Sequence, residues 1–99
     1  MIKIEDIAIG NKKAKGMAIK IPGSTHADLL MVICDKGFAM CAYMDISTAE
    51  RLNDAAIILN SRDLTGILDV EVSKATKRAM DLGIRIGMPG REALKILMD

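Results

Sequence analysis

An α+β fold is predicted: a mainly antiparallel sheet of four to five strands in the N-terminal half and middle, with helices packed on one face. Three features of the 99-residue sequence predict it. Apolar and polar residues alternate through the first twenty-one positions, the period of a strand. Two charge-free runs, Leu29 to Cys34 and Phe38 to Met44, flank the turn-forming Asp35-Lys36-Gly37. The longer helix signals all lie in the second half, so strands and helices are segregated along the chain.

The first strand spans residues 2–9. Ile2 and Ile4 alternate, and Ile7 and Ile9 alternate, but the phase slips at Glu5-Asp6, so a bulge is expected there. Gly10-Asn11 turns the chain. Residues 14–21 form the second strand, with Met17, Ile19 and Ile21 on one face and Ala14, Gly16 and Ala18 on the other. Pro22-Gly23-Ser24 ends it. The runs 29–34 and 38–44 form a hairpin whose three-residue loop places Gly37 where a left-handed backbone is needed.

Asp45 or Ser47 can cap a short helix reaching about Asn53. Ala55 to Leu59 reads as a fifth strand. After the Ser61-Arg62-Asp63 turn come a short helical segment, Leu64 to Leu68, and a longer helix from about Val70 to Leu82. The stripe Val72, Ala75, Ala79 and Leu82 supports that helix. Gly83 is placed to end it in a left-handed C-cap, with Ile84 folding back on the last turn. The closing helix runs from about Pro89 to Met98, with Glu92 in its first turn and Lys95 near its last, as the helix dipole favours.

One domain, residues 1–99, fits this length. Apolar residues make up 51% of the chain, enough for a core. The formal net charge is +1, with both signs interspersed, so no strong field draws the protein to nucleic acid or to an anionic membrane. One Tyr and one Phe leave almost no ring on which to stack bases. The cluster Lys12, Lys13 and Lys15 reads as a solvated hairpin tip. Charges at Lys3, Glu5 and Asp6 break any signal-peptide core, and no apolar run approaches the roughly 18 residues of a membrane span. A cytoplasmic protein with two free thiols is expected. Gln is absent and Asn is confined to Asn11, Asn53 and Asn60, a pattern that points to a thermophilic source.

Few residues look like chemistry. Cys41 sits in GFAMCAYMD, and the single histidine, His26, lies in the loop before the hairpin. A catalytic thiol needs a nearby cation or helix N-terminus and usually a base. Apolar neighbours at Met40 and Ala42 instead favour a core thiol. A Cys34–Cys41 disulfide is not expected, because hairpin pairing sets Cys41 beyond the roughly 7 Å that such a bond spans. The cysteine and histidine spacing matches no zinc site, and no cofactor is expected. Asp63, Asp69 and Glu71 are the candidates for a hard cation, although no EF-hand pattern is present. Gly87, Gly90 and Arg91 in GMPGRE could meet an anion at a helix start, but they lack P-loop spacing. The methionines Met17, Met31, Met40 and Met44 suit a core or a subunit interface better than a cofactor site.

The hairpin GFAMCAYMD and the tail DLGIRIGMPGREALKIL together resemble the YunC-like family of small bacterial and archaeal proteins, a domain of unknown function. The resemblance covers nearly the whole chain. In that family a Ser usually precedes GREAL and would form a capping box. Pro89 stands there in this sequence, so the helix is expected to begin at Met88 or Gly87. The resemblance implies a β-rich N-terminal region, residues 1–44 here, used for oligomerisation as a tetramer. It implies no reaction, cofactor or catalytic residue.

Both faces of the hairpin strands are apolar, and two late helices can cover about one face of so small a sheet. About six apolar side chains would then face outward. Their burial is worth on the order of 10 kcal/mol, comparable with an association cost of about 4–15 kcal/mol. A homo-oligomer, dimer or tetramer, is therefore expected, with the chain itself as partner. The expected function is that of a non-enzymatic oligomeric domain with a small ligand or anion. The alternatives are weak calcium-type binding on carboxylates and a small thiol-dependent enzyme using Cys41.

Overall fold

A computed structural model describes residues 1–99. Six strands form one sheet in sequence order: β1 (Ile2–Ile9), β2 (Lys12–Ile19), β3 (Leu29–Ile33), β4 (Phe38–Met40), β5 (Ala56–Leu59) and β6 (Val72–Ala75). Every neighbouring pair is antiparallel except β4 with β5, which is parallel. Helix α1 (Ile46–Arg51) makes that parallel crossover. A 3-10 turn (Thr65–Leu68) precedes β6, and α2 (Lys77–Asp81) and α3 (Gly90–Met98) close the chain. The fold is α+β, as expected, with one strand more than the sequence predicts.

The core lies on one face of the sheet. Ala14, Ala18, Leu30, Val32, Ala39 and Ile57 point into it, against Leu64, Ile67, Ile84, Leu94 and Leu97 from the later elements. Small residues on β2 let these helical elements approach closely. A side chain at Gly16 would press on Ile7 and Leu64. Helix α3 contributes Ala93, Leu94, Leu97 and Met98, all buried at its inner stripe.

The other face carries a row of large apolar residues. Ile4 pairs with Met17, Met17 with Met31, Met31 with Met40, and Met40 with Ile58. Directly paired residues share a face, so the row crosses five strands. Helix α1 packs against β5 on this side and covers Ile58, which is 4% exposed. The expectation that all helices share one face is thus corrected. Beyond α1 the row is open: Ile2 is 64% and Ile4 60% exposed.

The expected bulge in the first strand is absent. The β1–β2 ladder runs unbroken from Ile2 opposite Ile19 to Ile9 opposite Lys12. The phase slip is instead a change of face: Ile2 and Ile4 point outward, and Ile7 and Ile9 point to the core side. Gly10 has φ +62°, which the tight β1–β2 turn requires.

Gly37 also differs from expectation. Its φ is not positive, and the Cys34 amide donates to the Gly37 carbonyl at 2.9 Å, which leaves a two-residue loop. Glycine is needed here for contact. A Cβ at this position would collide with the Ala55 carbonyl oxygen as β5 comes alongside.

The second apolar run leaves the sheet at Met40 and turns through Cys41 to Met44, closed by the Met44 amide on the Cys41 carbonyl at 3.1 Å. Asp45 then caps α1, its carboxylate accepting from the Ser47 amide at 3.0 Å. The helix ends in a Schellman arrangement, with Asn53 left-handed at φ 61°. The Val70–Leu82 helix is not formed as predicted. Val72–Ala75 is the sixth strand, and only Lys77–Asp81 is helical, capped by Thr76. The unpaired edge of the wholly buried β5 outweighs the helical stripe, because its backbone groups need partners. Gly83 (φ 111°) does end α2 as predicted, and Ile84 folds back fully buried, its amide on the Ala79 carbonyl at 3.2 Å. Pro89 itself is the N-cap of α3, not Met88 or Gly87.

Candidate functional site

Three loops meet at one end of the sheet. The loop before β3 brings His26, Ala27 and Asp28. The turn after β4 brings Cys41, Ala42 and Tyr43, and the loop after β5 brings Asn60, Ser61 and Arg62. Together they line an open cleft of about 430 Å³. It lies beyond the carboxyl ends of the parallel pair β4 and β5, where the chain diverges after each strand. Crevices outside the carboxyl ends of parallel strands are common ligand sites in open sheets.

The His26 ring is held from two sides. Its Nδ1 donates to the Ala27 carbonyl at 2.7 Å; a carbonyl only accepts, so the proton resides on Nδ1. Nε2 is in hydrogen-bond contact with the Tyr43 hydroxyl at 3.3 Å, and the two rings stand 6.0 Å apart at 51°. The Cys41 side chain lies at the base of the cleft, with the residue 6% exposed. Its Sγ accepts from the Leu30 amide at 3.4 Å. Ser61 turns back on its own loop, donating to the Asp63 carbonyl at 2.8 Å. The four ion pairs of the chain include neither Arg62 nor Asp28.

Cys41 and His26 are thus brought to one cleft, but not to each other: both imidazole nitrogens are engaged, with Ala27 and Tyr43. Asp45 is turned away to cap α1, where hydrogen bonds from Ser47 first and then Thr48 hold its carboxyl below the ordinary value. The other thiol, Cys34, is half-buried at the opposite hairpin end. Burial first, and the Asp35 charge second, push it up to about 11. Both cysteines are free.

The cation candidates do not converge. The Asp63 carboxylate accepts from the Gly66 amide at 2.9 Å, Asp69 ends the 3-10 turn, and Glu71 bridges to Pro89. No group of three His, Cys, Asp or Glu side chains gathers anywhere. At the anion candidate, the Gly87 amide donates to Val72 at 2.8 Å and the Gly90 amide to Val70 at 2.7 Å, so both donors are engaged within the chain; Arg91 is exposed beside them. Tyr43, Asp28, Ser61 and Arg62 were not singled out from the sequence. The Ser61-Arg62-Asp63 turn was legible, but which loops it would meet depends on strand order. No helix is long and apolar enough to cross a membrane.

The chain is 30% identical over 103 residues to the uncharacterized protein YunC of Bacillus subtilis strain 168, covering 99% of both chains. Its fold matches the crystal structure of a protein of unknown function, TA1206, from Thermoplasma acidophilum, with a TM-score of 0.87 and 28% identity over 98% of this chain and 93% of that one. Residues 40–97, which include Cys41, Tyr43 and Arg62 but not β1 to β3, match the domain of unknown function DUF1805, and the protein belongs to that family.

Proposed function

We propose that the protein is a non-enzymatic homo-oligomeric domain assembled through the open apolar face of its sheet. One observation carries this: the cross-strand row Ile4, Met17, Met31 and Met40 lies opposite the core, with Ile2 and Ile33 beside it. Helix α1 shields only the β5 end. Between α1 and the strands a second groove remains, lined by Met31, Phe38, Met40, Met44 and Leu52 among others. A self-complementary interface of two such faces buries the row symmetrically. Methionine suits it, since its flexible side chain adapts to a facing copy. Beside the row, Lys15 and Asp6 pair with each other at 2.6 Å, which softens the repulsion that either charge alone would exert on a second copy.

Light scattering on a sizing column tests this. At micromolar concentration the mass is expected to be at least twice that of the chain. Met31→Glu and Met40→Lys, on the same face, should each give monomer with the fold retained. A well-behaved wild-type monomer at high concentration refutes the assembly.

A further inference from the structure

We propose that the cleft beyond β4 and β5 binds a small zwitterion, an amino-acid-like molecule whose carboxylate meets Arg62 and whose ammonium meets Asp28. The volume, about 430 Å³, falls within the roughly 300–1,000 Å³ of small-ligand sites. Two opposite charges line it, and neither is consumed within the chain: no ion pair joins Arg62 to Asp28 or either of them to another residue. A lone anion would gain from the guanidinium and be repelled by the carboxylate; a lone cation would meet the reverse. A molecule carrying both charges on a short frame satisfies the two at once. The planar guanidinium fork matches a carboxylate in two parallel hydrogen bonds. Ala27 and Ala42, both small, also line the cleft and leave room in it for a short carbon frame. The His26–Tyr43 pair gives the cleft a wall whose hydrogen bonds are already set, so little ordering is needed on binding.

The test is titration of isotope-labelled full-length protein, followed by amide shifts. The probes are the common L-amino acids, then propionate and ethylamine as the two half-molecules, and inorganic phosphate. At least one amino acid should give saturable shifts at the Ala27, Ala42 and Ser61 amides. The half-molecules, and the variants Arg62→Gln and Asp28→Asn, should each weaken binding by roughly ten- to a hundredfold. Lys13→Gln, at the far hairpin tip, should leave it unchanged. Both cleft variants alter partly or wholly exposed side chains, and their spectra report folding directly. Absence of saturable shifts with every amino acid up to tens of millimolar overturns the proposal. So does phosphate or propionate binding as tightly as the amino acid, or undiminished binding by either variant.

Discussion

The Thr76 hydroxyl donates to the Asp54 carbonyl at 2.7 Å, tying the start of α2 to the entrance of β5. The same oxygen accepts from the Ala56 amide at 3.1 Å and the Ala79 amide at 3.3 Å. Thr76 is wholly buried, so no water can replace these bonds.

Thr76→Val keeps the shape and removes the oxygen, leaving two amides and a carbonyl without a partner. It should cost about 2–4 kcal/mol. Thr76→Ser keeps the oxygen and loses a methyl group, which should cost about 1 kcal/mol. Urea unfolding at constant slope measures both. Equal losses for the two variants would mean that packing, not the shared hydroxyl, makes this position matter.

Gly37 and Gly10 are both glycines of tight hairpin turns, and they should respond differently. Gly37→Ala sets a methyl against the Ala55 carbonyl, which the Phe38 amide also uses at 3.0 Å. The β4–β5 pairing must shift, at about 2–4 kcal/mol. Gly10→Ala meets no atom within 4 Å and carries only the left-handed backbone penalty, about 1 kcal/mol. Thermal or urea unfolding of the two variants, side by side, should reproduce that order.

Cys34 should be slow to react with a thiol reagent at neutral pH, and its rate should climb toward pH 11. In a Cys41→Ala background it is the sole thiol. Its folded value, about 11, is raised above the ordinary 9.0, chiefly by burial. A raised group keeps its proton in the folded chain while the unfolded chain has lost it. Stability from this group is therefore complete below the unfolded value and falls as pH rises through the interval from 9.0 to about 11. Cys34→Ser should remove that alkaline loss, and urea midpoints across this interval would show it. Rapid labelling of Cys34 at neutral pH would contradict its burial.

Much of the architecture was legible because it is written in local chemistry. Gly10-Asn11 turns the chain between β1 and β2, Asp45 caps α1, and Gly83 with Ile84 ends α2. Each rests on a backbone angle or a hydrogen bond within a few residues. The two-faced apolar hairpin was legible too, as an absence of charge. The Thr76 cap was also available: with Gly83 it frames a short helix, and the stripe through Val72 and Ala75 obscured it.

What the residues determined by themselves is the order of most elements, the alternation within β1 and β2 and the presence of a turn at Ser61-Arg62-Asp63. Tertiary structure alone decided three further things. Val72–Ala75 became a strand because β5 offers an edge whose backbone groups need partners. Ile2 and Ile4 point away from the core because the β1 ladder runs without a bulge, so a change of apolar phase becomes a change of face. His26, Cys41 and Arg62, far apart in sequence, share a cleft because β4 and β5 run parallel and β3 runs against them, which brings three separate loops to one end of the sheet. Strand order and direction are set by long-range pairing, and no local pattern encodes them.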